Sequence, residues 1–387
     1  MYIFKRNIDK KKLIRYGIYG LFFIILAVVV SLCAIWIKYK VMDFEAMMTE
    51  PEKREYSIYY NSLNHKGQLL YNSITAAAEE LSEESEVLRY SYDMEEFQKI
   101  IGCIRGDRPE LFYIDYDNLV LYHSNHRTKV GMVYLDKVDA IPGMIEEYNS
   151  AIERAMEFVL PSMTDYEKEI AINDWLLDNC CYALGERNAL SSTSYGALVR
   201  GQAYCDGYAY AAKQLLNKAY IDALVVYGEA DGAEHVWNMV EIEGQYYHLD
   251  VMWNDADIGS DSKLRFHGYF NLSDDMIKLD HSYENDGIIP YAVTDGSYYK
   301  ETGCYAATGA ELEEVFYDQL LKAVKEKREY IELLCPETKS NEDIGTPYTA
   351  ALKRVNSELG YEALYEAFSV YDATARDNSV TIQIYYN

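Results

Sequence analysis

The sequence lacks the paired cysteines and histidines that hold a structural zinc ion. Its seven cysteines include no CxxC pair and no Cys/His spacing suited to zinc, so we predict no metal site. No cofactor is predicted either. Most of the thiols are expected to pack as small apolar groups. The adjacent Cys180 and Cys181 have a poor geometry for an ordinary disulfide, whereas a bridge among Cys103, Cys304 and Cys335 is left open.

Positive charge is scarce outside the N-terminus. The 387 residues include 36 Lys and Arg against 63 Asp and Glu, which gives a net charge of −27. The first 40 residues hold eight basic residues and one acidic residue, so they carry +7 and residues 41–387 carry −34. Because phosphate groups repel so acidic a body, we expect no nucleic-acid partner.

One apolar run without a charge lies near the N-terminus. Residues 16–37 are 22 uncharged residues, and a helix that rises about 1.5 Å per residue can cross a bilayer core of about 30 Å over this length. Six basic residues precede the run and two follow closely, so the positive-inside rule puts the N-terminus in the cytoplasm and the rest outside. A cleaved secretory signal is the alternative, but the length of the run and the missing A-x-A motif favour a single-pass anchor in the cell membrane.

The sequence after the apolar run, residues 38–387, predicts a mixture of helices and strands. Apolar spacing predicts helix within residues 44–88, and the segments LFYIDY and LVLYHS predict two paired strands joined by a turn at Asp117–Asn118. Further elements are predicted from hydrophobic period and capping signals: helices at 140–160, 164–181, 206–219 and 309–326, and strands at 223–227, 235–242, 245–253, 330–334 and 380–386.

Cys205 has the setting of a nucleophile, because it opens the predicted helix that follows residues 201–204. A helix N-terminus presents partial positive charge and free N–H groups, which stabilise a thiolate and can hold the oxyanion of a tetrahedral intermediate. The adjacent Asp206 opposes this effect if its side chain points inward. A cysteine at a helix start, taken alone, is more often a packed apolar residue.

His235 and Asp250 are the candidate base and the carboxylate that orients it. A two-residue turn at Glu243–Gly244 sets the register of the last two strands, with Asp250 opposite Trp237 and His235 opposite Met252. Directly opposed residues share one face of a sheet, and so do residues two apart. His235 and Asp250 are therefore predicted to lie diagonally on one face, within reach of each other.

Three blocks of this sequence resemble the transglutaminase-like superfamily. They are SYGALVRGQAYCDGYAYAAKQLLNKAYIDALVVYGEA (194–230), which resembles the cysteine block; HVWNMVEIEGQYYHLDVMWND (235–255), which resembles the His-x-Trp-Asn strand, glycine turn and Tyr-x-x-Asp-x-x-Trp; and the helix TDYEKEIAINDWLLDNCCY (164–182). The flanking CIRGDRPELFYIDY and YFNLSDDMIKLDH look like those of exported bacterial members. The departure is Met252, which stands where many members carry a small or hydroxyl residue.

The resemblance implies an α+β fold with a papain-like transglutaminase core. Cys205 would be the nucleophile at a helix N-terminus, packed against an antiparallel sheet that carries His235 as general base and acid and Asp250 as its orienter. The side-chain oxyanion donor is left between Tyr195 and Gln202, and Asn238 is expected to be structural. The expected regions are a basic tail (1–15), the anchor (16–37), a helical and hairpin region (38–150), the catalytic domain (151–285) and a small α/β unit (286–387).

The implied chemistry is acyl transfer through a thioester on a peptide or carboxamide of a protein or peptide substrate at the cell surface. Exported relatives need only water as acceptor, which favours a peptidase or amidase; an amine acceptor would make the enzyme a transglutaminase. A non-catalytic surface-binding module that keeps the fold is the third hypothesis. A metal enzyme is disfavoured, because His235 and His248 lie on adjacent predicted strands without a suitably spaced ligand set.

Overall fold

The computed structural model describes residues 10–48, 51–55, 57–184, 188–255, 266–285, 287–328, 330–337, 341–359, 364–365 and 379–386. The described helices are α1 (Lys10–Met48), α2 (Ile58–Ser62), α3 (His65–Glu79), α4 (Met94–Asp107), α5 (Ile141–Met156), α6 (Asp165–Asn179), α7 (Cys205–Lys218), α8 (Val251–Asn254), α9 (Asp274–Ile277), α10 (Tyr298–Glu301), α11 (Leu312–Glu326) and α12 (Asn341–Leu359). The described strands are β1 (Val120–Ser124), β2 (Arg127–Gly131), β3 (Cys181–Tyr182), β4 (Gln202–Ala203), β5 (Ala223–Ala230), β6 (Ala233–Ile242), β7 (Gln245–Leu249), β8 (His281–Ser282), β9 (Tyr330–Leu334), β10 (Leu364–Tyr365), β11 (Ser379–Gln383) and β12 (Tyr385–Tyr386).

The chain divides into two compact units. The first comprises Met1–Ile104 and Asp115–Val133, and the second comprises Arg105–Ile114 and Tyr134–Asn387. The predicted boundaries of the five regions stay predictions.

The first unit contains the apolar helix. Within α1, the window Arg15–Met42 has a mean hydropathy of 2.9 and no buried residue, so this helix is long and apolar enough to cross a membrane. The helix predicted within residues 44–88 is present as α2 and α3, and Asn64 caps α3 by accepting a hydrogen bond from the backbone N–H of Gly67 at 2.9 Å.

The hairpin of the first unit differs from the prediction. LVLYHS supplies β1, but its partner is β2, and the turn lies at Asn125–His126, not at Asp117–Asn118. Both turn residues have positive φ, 49° and 55°, which is the geometry of a tight two-residue hairpin turn whose twist matches that of the strands. Residues Tyr116–Asn118 form a turn of 3-10 helix instead, and Leu111 ends another, so LFYIDY is not a strand.

The centre of the second unit is an antiparallel sheet with the order β7-β6-β5-β8, packed against α7. The apolar face predicted for α7 is buried, with Leu215 and Leu216 fully inaccessible. Asn238 of β6 donates from Nδ2 to the carbonyl oxygen of Ala209 at 2.9 Å, which ties the sheet to the helix and confirms a structural role for this amide. Helix and antiparallel sheet thus form the predicted α+β core.

Helix α6 begins as predicted. Thr164 and Glu167 form a reciprocal capping box, and the helix ends at Asn179, two residues before the predicted end. Cys181 instead pairs with Gln202 in the short parallel β3–β4 ladder.

The strand predicted at 245–253 is shorter in the structure. The register is as expected, with Ile242 opposite Gln245, but β7 ends at Leu249. Asp250 caps α8 by accepting a hydrogen bond from the backbone N–H of Trp253 at 3.1 Å, so the chain turns away from the sheet. The prediction that Met252 lies opposite His235 on a strand is therefore wrong.

The C-terminal part of the second unit forms a further apolar core. Strands β9 and β11 lie where strands are predicted at 330–334 and 380–386. The two strands pair antiparallel, and α11 and α12 pack together. No disulfide joins the cysteines that the structure describes, so the bridge left open among Cys103, Cys304 and Cys335 does not form.

Candidate active site

The chain approaches Cys205 through a tight turn. Gly201 adopts the left-handed conformation at φ 64°, the two-residue strand β4 follows, and Cys205 is the first residue of α7 and is half-buried. Gly207 lies in the first turn of α7, where an added Cβ would stand 2.6 Å from the carbonyl oxygen of Ser191. The Cys-x-Gly pattern therefore reflects how closely this helix start packs on the preceding loop.

Asp206 does not turn its carboxylate away from the helix start. Its Oδ1 accepts a hydrogen bond from the backbone N–H of Gly207 at 2.9 Å, and the residue lines the cleft beside Cys205. Since the carboxylate takes up one of the free N–H groups of the first turn, the electrostatic support that α7 offers a thiolate is reduced.

His235 lies on β6 and faces both other residues predicted for the site. Its Nε2 is 2.6 Å from Oδ2 of Asp250, and the side chain of Cys205 lies close enough to the ring to help raise its pKa. Because Nε2 is engaged with Asp250, we infer that Nδ1 faces the thiol. The fold thus brings the three predicted residues together in one row, with Cys205 and Asp250 on the two sides of His235.

The charges of this row are strongly coupled. Burial lowers the pKa of His235, but the attraction of Asp250 and the hydrogen bonds with Asp250 and Cys205 outweigh burial and raise it to about 10. Burial raises the pKa of Asp250, yet the attraction and hydrogen bond of His235, together with His281, hold it below its usual range. The imidazolium–carboxylate form of the pair is therefore favoured at neutral pH.

His281 is a member of the site that the sequence analysis did not predict. It lies on β8, with its side chain inaccessible to solvent, and its Nε2 is 3.1 Å from the same Oδ2 of Asp250. Its Nδ1 is 2.5 Å from Oδ1 of Asp280. The only signal in the sequence is a histidine inside the flanking segment YFNLSDDMIKLDH, which by itself assigns no role.

His235, Asp250 and His281 also have the composition of a metal-ligand set, with their ligand atoms within 4.8 Å of one another. Tetrahedral ligands about 2.1 Å from a zinc ion would stand about 3.4 Å apart. The contacts of Asp250 with the two rings, at 2.6 and 3.1 Å, are shorter than this and have hydrogen-bond lengths. The three side chains therefore fit a hydrogen-bonded row better than a metal centre.

Trp237 lies beside His235 and is held in place by His248. Its indole N–H donates to Nδ1 of His248 at 3.0 Å, and Nε2 of His248 is 2.9 Å from Oδ1 of Asp274. Since Nδ1 must keep its lone pair to accept this bond, His248 is neutral, and burial lowers its pKa in agreement. The ring of Trp237 stacks on that of His235, with centroids 6.0 Å apart.

A cleft of about 610 Å³ opens on Cys205 and His235. Aromatic rings and charged groups dominate its lining, which consists of Arg105, Tyr182, Tyr204, Cys205, Asp206, Tyr210, Tyr227, Gly228, Glu234, His235 and Val236. Neither predicted oxyanion donor is among these residues. Tyr195 is buried with its hydroxyl on a carboxylate oxygen of Glu147 at 2.5 Å, and Gln202 is exposed on β4.

Comparison with known proteins supports the resemblance. Residues 152–251 match the model of the transglutaminase-like superfamily. No curated protein matches the chain.

Three solved structures are similar to parts of the chain. A candidate cysteine protease from Cytophaga hutchinsonii is 16% identical with a TM-score of 0.25, over 35% of this chain and 61% of that one. A protein called a TGase is 13% identical with a TM-score of 0.28, over 58% of this chain and 65% of that one. A candidate protease from Parabacteroides distasonis is 12% identical with a TM-score of 0.21, over 35% of this chain and 39% of that one. The chain spans less than two thirds of the length of each.

Proposed function

Since residues 152–251 of this chain form a domain of the transglutaminase-like superfamily, we propose that the protein is a cysteine acyl-transfer enzyme that acts on peptide or carboxamide bonds. Cys205 is its nucleophile, His235 its general base and acid, and Asp250 the residue that orients His235. The observation that carries the proposal is the row of Cys205, His235 and Asp250, in which His235 is hydrogen-bonded with Asp250 and lines an open cleft together with Cys205.

The proposed reaction has two stages. The Cys205 thiolate attacks the carbonyl carbon, and the His235 imidazolium gives its proton to the leaving nitrogen, so that an amine or ammonia departs and a thioester remains. His235 then takes a proton from the acceptor, the acceptor oxygen or nitrogen attacks the thioester, and the Cys205 thiolate is released while His235 keeps the proton. The raised pKa of His235 supports this cycle, because the ring starts each turnover protonated.

Water is the acceptor we favour, which makes the enzyme a peptidase or amidase. Hydrolysis needs no second substrate site, whereas transamidation needs room for an amine beside the thioester. The acidic Asp206 and Glu234 in the cleft are the observation that favours the second candidate, a protein-glutamine transglutaminase, because they would attract a cationic amine.

We also propose that α1 anchors the protein in the cell membrane with the N-terminus in the cytoplasm and the cleft outside. The apolar window in α1 and the excess of basic residues before it support this topology. A protease added to intact cells should then cleave a C-terminal tag and spare an N-terminal one. Protection of both tags would contradict the orientation.

Reactivity of the thiol tests the catalytic assignment. The full chain in detergent is pulsed with iodoacetamide at pH 6 and pH 9, and each cysteine is quantified by peptide mass spectrometry. We expect Cys205 to react at pH 6 much faster than the exposed Cys181, which serves as an internal reference. His235→Ala should abolish this advantage, whereas His123→Ala, on the exposed strand β1, should leave it unchanged. Equal reactivity of the two thiols at pH 6 would refute the assignment.

Product analysis separates the three hypotheses. The enzyme and its Cys205→Ala variant are incubated with an unstructured protein substrate, with and without a fluorescent primary amine. New N-termini or released ammonia that require Cys205 indicate hydrolysis, and incorporated amine indicates transamidation. Binding of the substrate by both proteins without any turnover would favour the non-catalytic binding module.

A further inference from the structure

The imidazole of His281 is the second ring on the carboxylate of Asp250, and its own partners define its charge. Its Nε2 is 3.1 Å from Oδ2 of Asp250, and its Nδ1 is 2.5 Å from Oδ1 of Asp280. Ionised carboxylates only accept hydrogen bonds, so both ring nitrogens must carry a proton. The hydrogen-bond pattern therefore requires an imidazolium ion inside the protein.

The surroundings of His281 are built to hold such an ion. Its side chain has no solvent exposure. Trp253 and Trp237 lie against it, with ring centroids 4.6 and 5.0 Å away. The hydroxyl of Tyr269 donates to the other oxygen of Asp280 at 2.9 Å and so fixes that carboxylate. A ring enclosed and paired on both sides in this way has one orientation.

We infer that His281 is a positioning residue of the proposed active site, which holds Asp250 against His235 and, through its positive charge, sets the pH range in which His235 keeps its proton. The inference rests on the proposed function. Asp250 accepts three hydrogen bonds: two on Oδ2, from His235 and His281, and one on Oδ1, from the backbone N–H of Trp253. Its carboxylate consequently has no freedom to rotate away from His235.

The electrostatic effect of His281 on His235 follows from distance. The two ring centroids are 5.3 Å apart, and both rings share one oxygen of Asp250. A second cation at that range weakens the hold of the carboxylate on the first, so His235 releases its proton more readily than in a site with Asp250 alone. His235 thereby becomes the stronger acid toward the leaving nitrogen.

Other titratable groups near His281 oppose or support its charge. Burial lowers the pKa of His281, the hydrogen bonds with Asp250 and Asp280 raise it, and the positive charge of His235 lowers it, with a net increase. The groups that face it from neighbouring elements are His235 on β6, His248 on β7, Asp250 before α8, and Tyr269 and Asp280 in the segments that flank α9. His248 is neutral and adds no charge.

Histidine titration by NMR tests the inference without requiring turnover. The full chain in detergent, with labelled imidazole rings, has only seven histidine signals, which single His→Gln variants assign. We expect His281 to be doubly protonated at pH 7. In the His281→Gln variant, which keeps one donor for Asp250 but no charge, the midpoint of His235 should rise by about 1 to 2 pH units. His248→Gln, which removes a neutral ring, should not move it.

The possible outcomes have distinct meanings. A neutral His281 at pH 7, or an unchanged His235 midpoint in His281→Gln, overturns the inference even if Cys205 is fully reactive. If His281→Gln does not fold, the Asp280→Asn variant should lower the His281 midpoint while the ring stays in place, and an unchanged midpoint overturns the inference. If turnover exists, the alkaline limb of kcat/KM should follow the His235 midpoint. A site without turnover refutes the proposed function but not the role of His281, because the histidine titrations do not depend on turnover.

Discussion

A buried histidine outside the candidate active site should make the stability of the second unit depend on pH. The side chain of His267 is almost completely buried and lies between two carboxylates. Its Nε2 is 2.8 Å from Oδ1 of Asp174 on α6, and its Nδ1 is 2.8 Å from Oε2 of Glu332 on β9. The ring of Tyr298 stacks on the imidazole, with centroids 3.8 Å apart. Since both partners accept, the ring is an imidazolium ion that ties α6 to β9.

The size of the effect follows from the shift. Burial lowers the pKa of His267, but the attraction of Asp174 and Glu332 outweighs it and raises the pKa to about 9 from 6.5. Each unit corresponds to about 1.4 kcal/mol, so the proton stabilises the folded state by about 3 kcal/mol. The folded pKa is the higher one, so this stability is fully present below pH 6.5. It decreases as the pH rises and is lost above about pH 9.

Equilibrium unfolding from pH 6 to 9.5 measures this contribution in the full chain and in His267→Gln. Trp175, the neighbour of Asp174, gives a fluorescence signal near the cluster. We expect the variant to be less stable at pH 6 by about 3 kcal/mol, and the difference from wild type to narrow as the pH approaches 9.5. Only this difference is informative, because His235 also has a raised pKa. A difference that is constant with pH would refute the reasoning, and His123→Gln should show no difference at any pH.

Two substitutions test the packing around the site. Gly228→Ala should destabilise the protein by about 1 to 3 kcal/mol, because an added Cβ would stand 2.1 Å from the carbonyl oxygen of Ser282 and 2.8 Å from the ring of Trp237. Gly268→Ala is the matched control, since an added Cβ there has no atom within 4 Å. Thermal melts that coincide for the two variants would contradict the close approach at Gly228. Thr164→Ala removes the cap of α6 and should cost about 1 kcal/mol in chemical denaturation, whereas Thr164→Ser should retain most of that stability.

The elements that carry the site are predictable from the sequence because each has a local signal. The α7 helix has an apolar face at helical spacing, and the hairpin has its turn at Glu243–Gly244, where both residues adopt positive φ, 51° and 77°. Turn type fixes register, so the turn residues alone are enough to assign His235 to one face of the sheet. Both patterns are complete within about 20 residues of chain.

The secondary-structure predictions failed where a side chain formed a local hydrogen bond with the backbone. Asp250 was predicted on a strand, but its side chain caps α8, and β7 ends at Leu249, four residues before the predicted end. An aspartate competes with the sheet for backbone N–H groups, and the winner depends on tertiary contacts. His281 could not be found at all, because β8 has only two residues and pairs with Ala230 of β5, about 50 residues away in the chain. No periodic pattern can arise over two residues.

The charge balance of the site explains how Asp250 can stay ionised inside the protein. A buried charge persists only when it is paired and hydrogen-bonded. Asp250 and Asp280 contribute two negative charges, and the imidazolium forms of His235 and His281 contribute two positive charges, so this buried group is neutral as a set. Cys205 lies outside this neutral set, at the half-buried edge of the cleft. The net charge of −27 on the chain therefore has little effect on the protonation of these four buried groups. It acts mainly on charged molecules that approach the cleft.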